Sequence, residues 1–162
     1  MRILLFILGS LLCDNSSFAS DATFDCMPRW RFSDSMIQVV SYQATIDGDT
    51  FKINIPGMPA VFGKGISVRI KGIDAPEMHS KVECEKMMGM AVAIRLEKLL
   101  STASRVDLLN VERDKYFRIL ADVQINGSID IGKFFLENGW AVSYAGETKP
   151  KVNWCKSLER LK

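Results

Sequence analysis

Thr45-Ile46-Asp47-Gly48-Asp49-Thr50-Phe51 lies between two stretches rich in β-branched and apolar residues, Met36 to Ile46 and Thr50 to Ile55. An Asp-Gly pair so flanked supplies the residues a tight hairpin turn demands, so two strands joined at Asp47-Gly48 are predicted. Pro56-Gly57-Met58-Pro59 and Gly63-Lys64-Gly65 then bracket a loop, and Ser67 to Ile73 reads as the next strand. Asp74-Ala75-Pro76-Glu77 stops it, because Pro76 lacks a donor N–H and restricts Ala75. Ser80-Lys81-Val82-Glu83 has the form of a capping box and predicts a helix from there to about Leu100. Met87, Ala91, Val92, Ile94 and Leu99 supply apolar surface near helical spacing along it. Val106 to Glu112 and Ile119 to Ile125 are two further strands, joined through Arg113 to Arg118 and followed by an Asn126-Gly127 turn. Ile129 to Asn138 reads as a short helix closed by Gly139, and Asn153 to Leu161 as a last one. Five strands, one long helix inserted late and further helices after it predict an α+β fold, a five-stranded OB-type β-barrel with about three helices.

The length, 162 residues, suits one domain with one proper core, and an apolar share of 48% with 25% charged residues is ordinary for a globular chain. The start differs from the rest. Met1-Arg2 is a short positive end, Ile3 to Cys13 is almost unbroken apolar sequence, and Ser17-Phe18-Ala19 places small residues at the spacing a signal peptidase reads. The apolar run is too short to span a bilayer. These features predict a signal peptide over 1–19, a lead-in segment over 20–35 and the folded domain over 36–162. The product is expected to be exported to the periplasm or the medium, as a monomer with no membrane attachment after cleavage. Removal of Cys13 with the signal leaves Cys26, Cys84 and Cys155, an odd number in a compartment that permits disulfides. Their spacing matches no zinc motif. A net charge of +2 is too small to point to nucleic acid by general field alone, so local motifs must carry any such reading.

Charged residues gather in three places: Asp47-Gly48-Asp49-Thr50; Arg69 with Asp74 and Glu77; and Arg113 through Arg118. Each has a local explanation, as a turn, a cap or a solvated hairpin tip. Together, Ile46 to Thr50, Val68 to Glu77 and Asp114-Lys115-Tyr116-Phe117-Arg118 resemble, in order and separation, the three signature segments of staphylococcal nuclease-like domains. The resemblance runs from about Val39 to the C-terminus. It implies a Ca²⁺-dependent endo- and exonuclease acting on DNA and RNA and leaving 3′-phosphate ends. The rival expectation is the same barrel used as an inactive nucleic-acid or protein binding module, though inactive copies lose these carboxylates or arginines first.

By the same resemblance, Asp49, Asp74 and the carbonyl of Ala75 are the calcium ligands, hard oxygens of the kind that ion takes. Glu77 orients or deprotonates the attacking water, and Arg69 and Arg118 hold the phosphate with planar forks that match its oxygens. Lys115, Tyr116 and Tyr144 contact the substrate's terminal phosphate and sugar. Arg69 and Asp74 differ in strand parity, so they share a site only if the chain bends between them, and Gly72 is the residue that permits it. Phe117 stands where the family usually has glycine, and a positive φ there would strain it. Exported relatives often pair a cysteine opening the first helix with a Trp-Cys near the end. Cys84 and Trp154-Cys155 are similar to that pair, which implies a Cys84–Cys155 disulfide and leaves Cys26 over.

Overall fold

Along Thr50–Asn54 and Ile119–Ile125 apolar side chains alternate with polar ones, and the inward members are buried: Phe51 and Ile53 in one, Ala121, Val123 and Ile125 in the other. A computed structural model describes residues 36–39 and 41–159 of the chain. Its strands are β1 (Met36–Val39), β2 (Ser41–Asp47), β3 (Thr50–Asn54), β4 (Ile66–Ile70), β5 (Ile73–Asp74), β6 (Val106–Arg113), β7 (Ile119–Ile125), β8 (Ile129–Asp130) and β9 (Val142–Ser143). Its helices are α1 (Ala60–Gly63), α2 (Glu83–Thr102), α3 (Ile131–Glu137) and α4 (Trp154–Glu159). The predicted signal peptide and lead-in segment, with Cys13 and Cys26, lie outside the described residues. Among the described residues no helix is long and apolar enough to cross a membrane.

The main sheet runs β1-β6-β7-β4-β3-β2, with β8 added on β7. Every pairing is antiparallel except β4 with β7. The order begins on β1 and ends on β2, which are separated by one residue in sequence. One stretch therefore pairs with β6 at its start and with β3 at its end. The five predicted strands are present, with the first divided into β1 and β2. The remaining pair, β5 with β9, is short and ties the stretch around Asp74 to the region before Tyr144.

Among the described residues there are four helices where about three are predicted. The extra one, α1, is a single turn in the loop after β3, started by Pro59, whose carbonyl accepts from the N–H groups of Phe62 and Gly63 at 2.8 and 2.9 Å. Helix α2 also departs from its predicted cap. Ser80 Oγ accepts from the Val82 N–H at 3.1 Å and donates to Glu85 at 2.6 Å, so it is not the N-cap, and the helix opens at Glu83 with no side-chain cap. The buried face of α2 is Met88, Val92, Leu96 and Leu100, with Gly89 and Ala93 beside them, four residues apart as one helical face requires. Val92 was expected there, but Met87 and Ile94 are exposed. Gly89 explains the rotation, because it lets the helix press its backbone on residues 76–78. Cys84 and Cys155 form a disulfide, with Cα atoms 5.1 Å apart, that ties the first turn of α2 to α4 beside the buried Trp154.

Candidate active site

The β2–β3 turn is more than a reversal. Gly48 packs so closely that a Cβ there would lie 2.8 Å from the Cβ of Ala75 and 2.9 Å from Val92, so the turn is pressed onto both the 74–77 segment and α2. Its N–H donates to Asp47 Oδ1 at 2.8 Å. The backbone carbonyl of Asp49 accepts from the Ile70 N–H at 2.9 Å, which continues the pairing of β3 with β4. The Asp49 side chain is buried and both its oxygens are hydrogen-bonded: Oδ1 accepts from the Thr50 hydroxyl at 2.8 Å, and Oδ2 from the Ala75 N–H at 3.3 Å.

Arg69 alternates with the buried Val68 and Ile70, so it leaves β4 on the side away from the core. The bend required between Arg69 and Asp74 is present. Gly72 has φ +78°, the chain turns there, and β5 brings Asp74 back to the arginine. One guanidinium then spans both buried aspartates: Nη1 lies 2.7 Å from Asp49 Oδ1 and Nη2 3.3 Å from Asp74 Oδ1. Nη2 also donates to the carbonyl of Ile73 at 3.2 Å. The ring of Tyr144 lies 5.8 Å from the same guanidinium, placed by a 2.9 Å bond from its N–H to the carbonyl of Gly72.

The turn between β6 and β7 is organised by Asp114. Its Oδ1 accepts from the N–H groups of Tyr116 and Arg118 at 2.8 and 2.9 Å, and its Oδ2 accepts from Arg118 Nε at 2.7 Å. Burial alone would raise the Asp114 carboxyl, but these donors outweigh it and hold it below the usual carboxylate range. Phe117 does adopt a positive φ, +64°, so the strain anticipated there is real. Arg118 is nevertheless aimed, because Asp114 holds both its N–H and its Nε. Among the described residues its terminal amino groups have no hydrogen-bond or ion-pair partner and lie near Tyr116, whose ring is 5.3 Å from the guanidinium carbon. Lys115 Nζ lies 5.2 Å from the same ring.

These pieces line one cleft of about 750 Å³, which takes in Asp49, Arg69, Glu77, Lys115, Tyr116, Arg118 and Tyr144, with Asp47 and Lys149. Asp74 and Ala75 stand behind it, joined to it through Arg69 and Asp49. Arg118 is bound to Asp114 and not to the carboxylate group around Arg69.

Two participants were not assigned roles from sequence. Lys149 Nζ lies 3.1 Å from Asp74 Oδ1 and also pairs with Glu77. That hydrogen bond is the main reason the Glu77 carboxyl sits below its ordinary value, burial opposing it. Nothing in the spacing of Thr148-Lys149-Pro150 signals this contact. Asp47 was visible only as a turn residue. Burial pushes its carboxyl up to about 6, the Gly48 N–H opposing and the charges of Asp49 and Glu77 adding to the rise.

Four carboxylates, Asp47, Asp49, Asp74 and Glu77, therefore face two cations, Arg69 and Lys149. The carboxylates outnumber the cations whether or not Asp47 carries its proton, and their hard oxygens are of the kind a divalent cation such as Ca²⁺ takes. Among the described residues no three His, Cys, Asp or Glu side chains already stand as a ready metal cage. Asp49 and Asp74 are the two carboxylates buried deepest in the group.

A protein-family model described as staphylococcal nuclease homologue matches residues 67–161. No curated protein matches the chain.

Proposed function

The chain belongs to the staphylococcal nuclease family, and from that premise we propose that it is an exported Ca²⁺-dependent nuclease that hydrolyses phosphodiester bonds in DNA and RNA and leaves 3′-phosphate ends. The observation that carries this reading is the convergence of two buried aspartates on the guanidinium of Arg69, in a cleft that also holds Glu77 and Arg118. The sheet order, which starts and ends on one stretch, supports the five-stranded OB-type barrel expected of the family. The Cys84–Cys155 disulfide supports export, since such bonds persist in oxidising compartments.

In this mechanism Asp49 and Asp74, with the carbonyl of Ala75 and water, would hold the calcium ion, which would supply positive charge to offset that of the phosphate. Glu77, whose carboxyl the Lys149 hydrogen bond holds below its ordinary value, takes a proton from the attacking water. The water oxygen bonds to phosphorus as the bond to the 5′ oxygen breaks, and the leaving oxygen takes a proton from solvent. Arg118, with its Nε already held by Asp114, turns its terminal donors to the phosphate as charge builds. Arg69 keeps the two aspartates in register and contributes a second cationic face to the phosphate. Lys115, Tyr116 and Tyr144 line the same cleft, where the terminal phosphate and sugar would lie.

The test uses the oxidised chain from residue 20 on single-stranded DNA, with Ca²⁺ and with chelator. Cutting is expected only with Ca²⁺, and Glu77→Gln and Arg118→Ala are each expected to lower the rate by about two to four powers of ten. A folded wild-type chain that binds DNA and never cuts it would replace this reading with that of a binding module.

A further inference from the structure

Arg118 and Glu112 have a second side. A cavity of about 540 Å³ shares both residues with the cleft, and most of its remaining wall is apolar, including Val61, Phe62, Val111 and Phe117. Its rim is open, for Val61 is 78%, Phe62 64% and Phe117 76% exposed. Burial therefore does not explain why aromatic rings stand there. Phe117 is the harder case, because it holds φ +64°, where a bulky residue is disfavoured, and its ring recovers little of that cost by packing. The ring instead faces a cation, with the guanidinium carbon of Arg113 5.1 Å from its centroid. An exposed aromatic face, an apolar back wall and flanking guanidinium groups form the combination that receives an unpaired base while its backbone phosphate is held nearby.

We propose that this cavity is a nucleobase subsite, in which Phe117 stacks against an unpaired base of the substrate strand next to the phosphate that Arg118 holds. Phe62 supplies a second aromatic wall. The inference rests on the reading of the cleft as the site of a nuclease and goes beyond it by assigning where a neighbouring base lies. Continuity with the cleft through Arg118 favours a nucleic-acid strand over a protein partner, as do Arg113 and Arg118 at a mostly apolar surface whose one carboxylate, Glu112, is paired with Lys71. A paired base presents no free face to Phe117, so the subsite favours single strands over duplex.

Binding is read separately from cutting by using the full oxidised chain carrying Glu77→Gln, with fluorescence anisotropy on a short labelled oligothymidylate and on the same strand made abasic. Adding Phe117→Gly is expected to weaken binding of the base-bearing strand by about 5- to 150-fold and to leave the abasic strand unchanged. Glycine accepts the positive φ, so this change removes the ring without adding strain. Phe62→Ala is expected to act in the same direction by a smaller factor. Equal affinity with and without the Phe117 ring overturns the proposal, and so does an equal loss on both strands. A shift in oligomeric state by light scattering, with no loss of strand binding, also overturns it and assigns the patch to a second copy of the chain. Ring-dependent binding by a wild-type chain that never cuts leaves the subsite standing and removes the hydrolytic reading. Cutting that persists with ring-independent binding does the reverse.

Discussion

Helix α2 passes the segment that carries Glu77 at backbone distance, and Gly89 is the residue that allows it. A Cβ on Gly89 would lie 2.7 Å from the carbonyl oxygen of Pro76, 2.8 Å from the carbonyl carbon of Glu77 and 2.8 Å from the nitrogen of Met78. All three are backbone atoms, so no side chain can swing aside. Carbon–oxygen contacts settle near 3.3–3.6 Å, so Gly89→Ala must part helix and segment by roughly 0.6–0.9 Å. Helix propensity alone would favour alanine by about 1 kcal/mol. Overpacking costs about 1–3 kcal/mol, so the net expected loss is roughly 0–2 kcal/mol. The larger effect falls on function, since Asp49 and Arg69 stay with β3 and β4 while Glu77 moves. A misplacement of that size lowers a rate by roughly ten- to a hundredfold. Gly132→Ala in α3 is the control, because its added Cβ meets Asp130 and Ile70 at 3.4 and 3.5 Å, ordinary contact, and should stabilise by about 0.5–1 kcal/mol. Urea unfolding and kcat on single-stranded DNA are measured for both variants. If Gly89→Ala is stabilised as much as Gly132→Ala and keeps its kcat, the steric reasoning is wrong.

Cys84→Ser opens a link between residues 71 apart, which is expected to cost about 4 kcal/mol in urea unfolding, with reduced wild-type chain falling to the same midpoint. An unchanged midpoint would mean the bridge contributes nothing to stability. Asp114 has a depressed carboxyl, so its contribution is present above the unfolded value of 3.8 and is lost as pH falls through the lower folded value. Asp114→Asn should therefore weaken the chain by about 1–3 kcal/mol at neutral pH and flatten the acid limb of its stability profile below 3.8. It should also lower kcat by loosening Arg118, and an unaltered acid limb would refute the assignment. Lys149→Met removes an ammonium group from beside Asp74 and Glu77. The lysine is about half exposed and screened by water, so the gain in Ca²⁺ affinity read by calorimetry is expected to be only about fivefold. An unchanged affinity would show that the lysine does not oppose the ion.

The parts of the fold that were legible are those set by nearest neighbours in the chain. Asp47-Gly48 marks the β2–β3 hairpin because its turn chemistry is local, and β3 and β7 announce themselves by a period of two. Which face of α2 is buried was not legible, since Met87 and Met88 are equally apolar in sequence and only the contact of Gly89 with residues 76–78 decides between them. Likewise Ser80 and Glu83 have capping-box spacing, but Ser80 is drawn to Glu85, two residues further on than the pattern assumes. The site divides along the same line. Asp49, Arg69, Asp74, Glu77 and Arg118 could be named because they lie in short segments with recognisable order. Their mutual charge could not be read there, because it depends on distance through space. Arg69 answers Asp49 and Asp74, which leaves Glu77 beside an Asp47 that burial already resists ionising. The second cation beside it is Lys149, 72 residues further along the chain, whose hydrogen bond holds the Glu77 carboxyl below its ordinary value. The excess of carboxylates that suits the cleft to a divalent cation is therefore answered in part by a lysine that has no motif of its own.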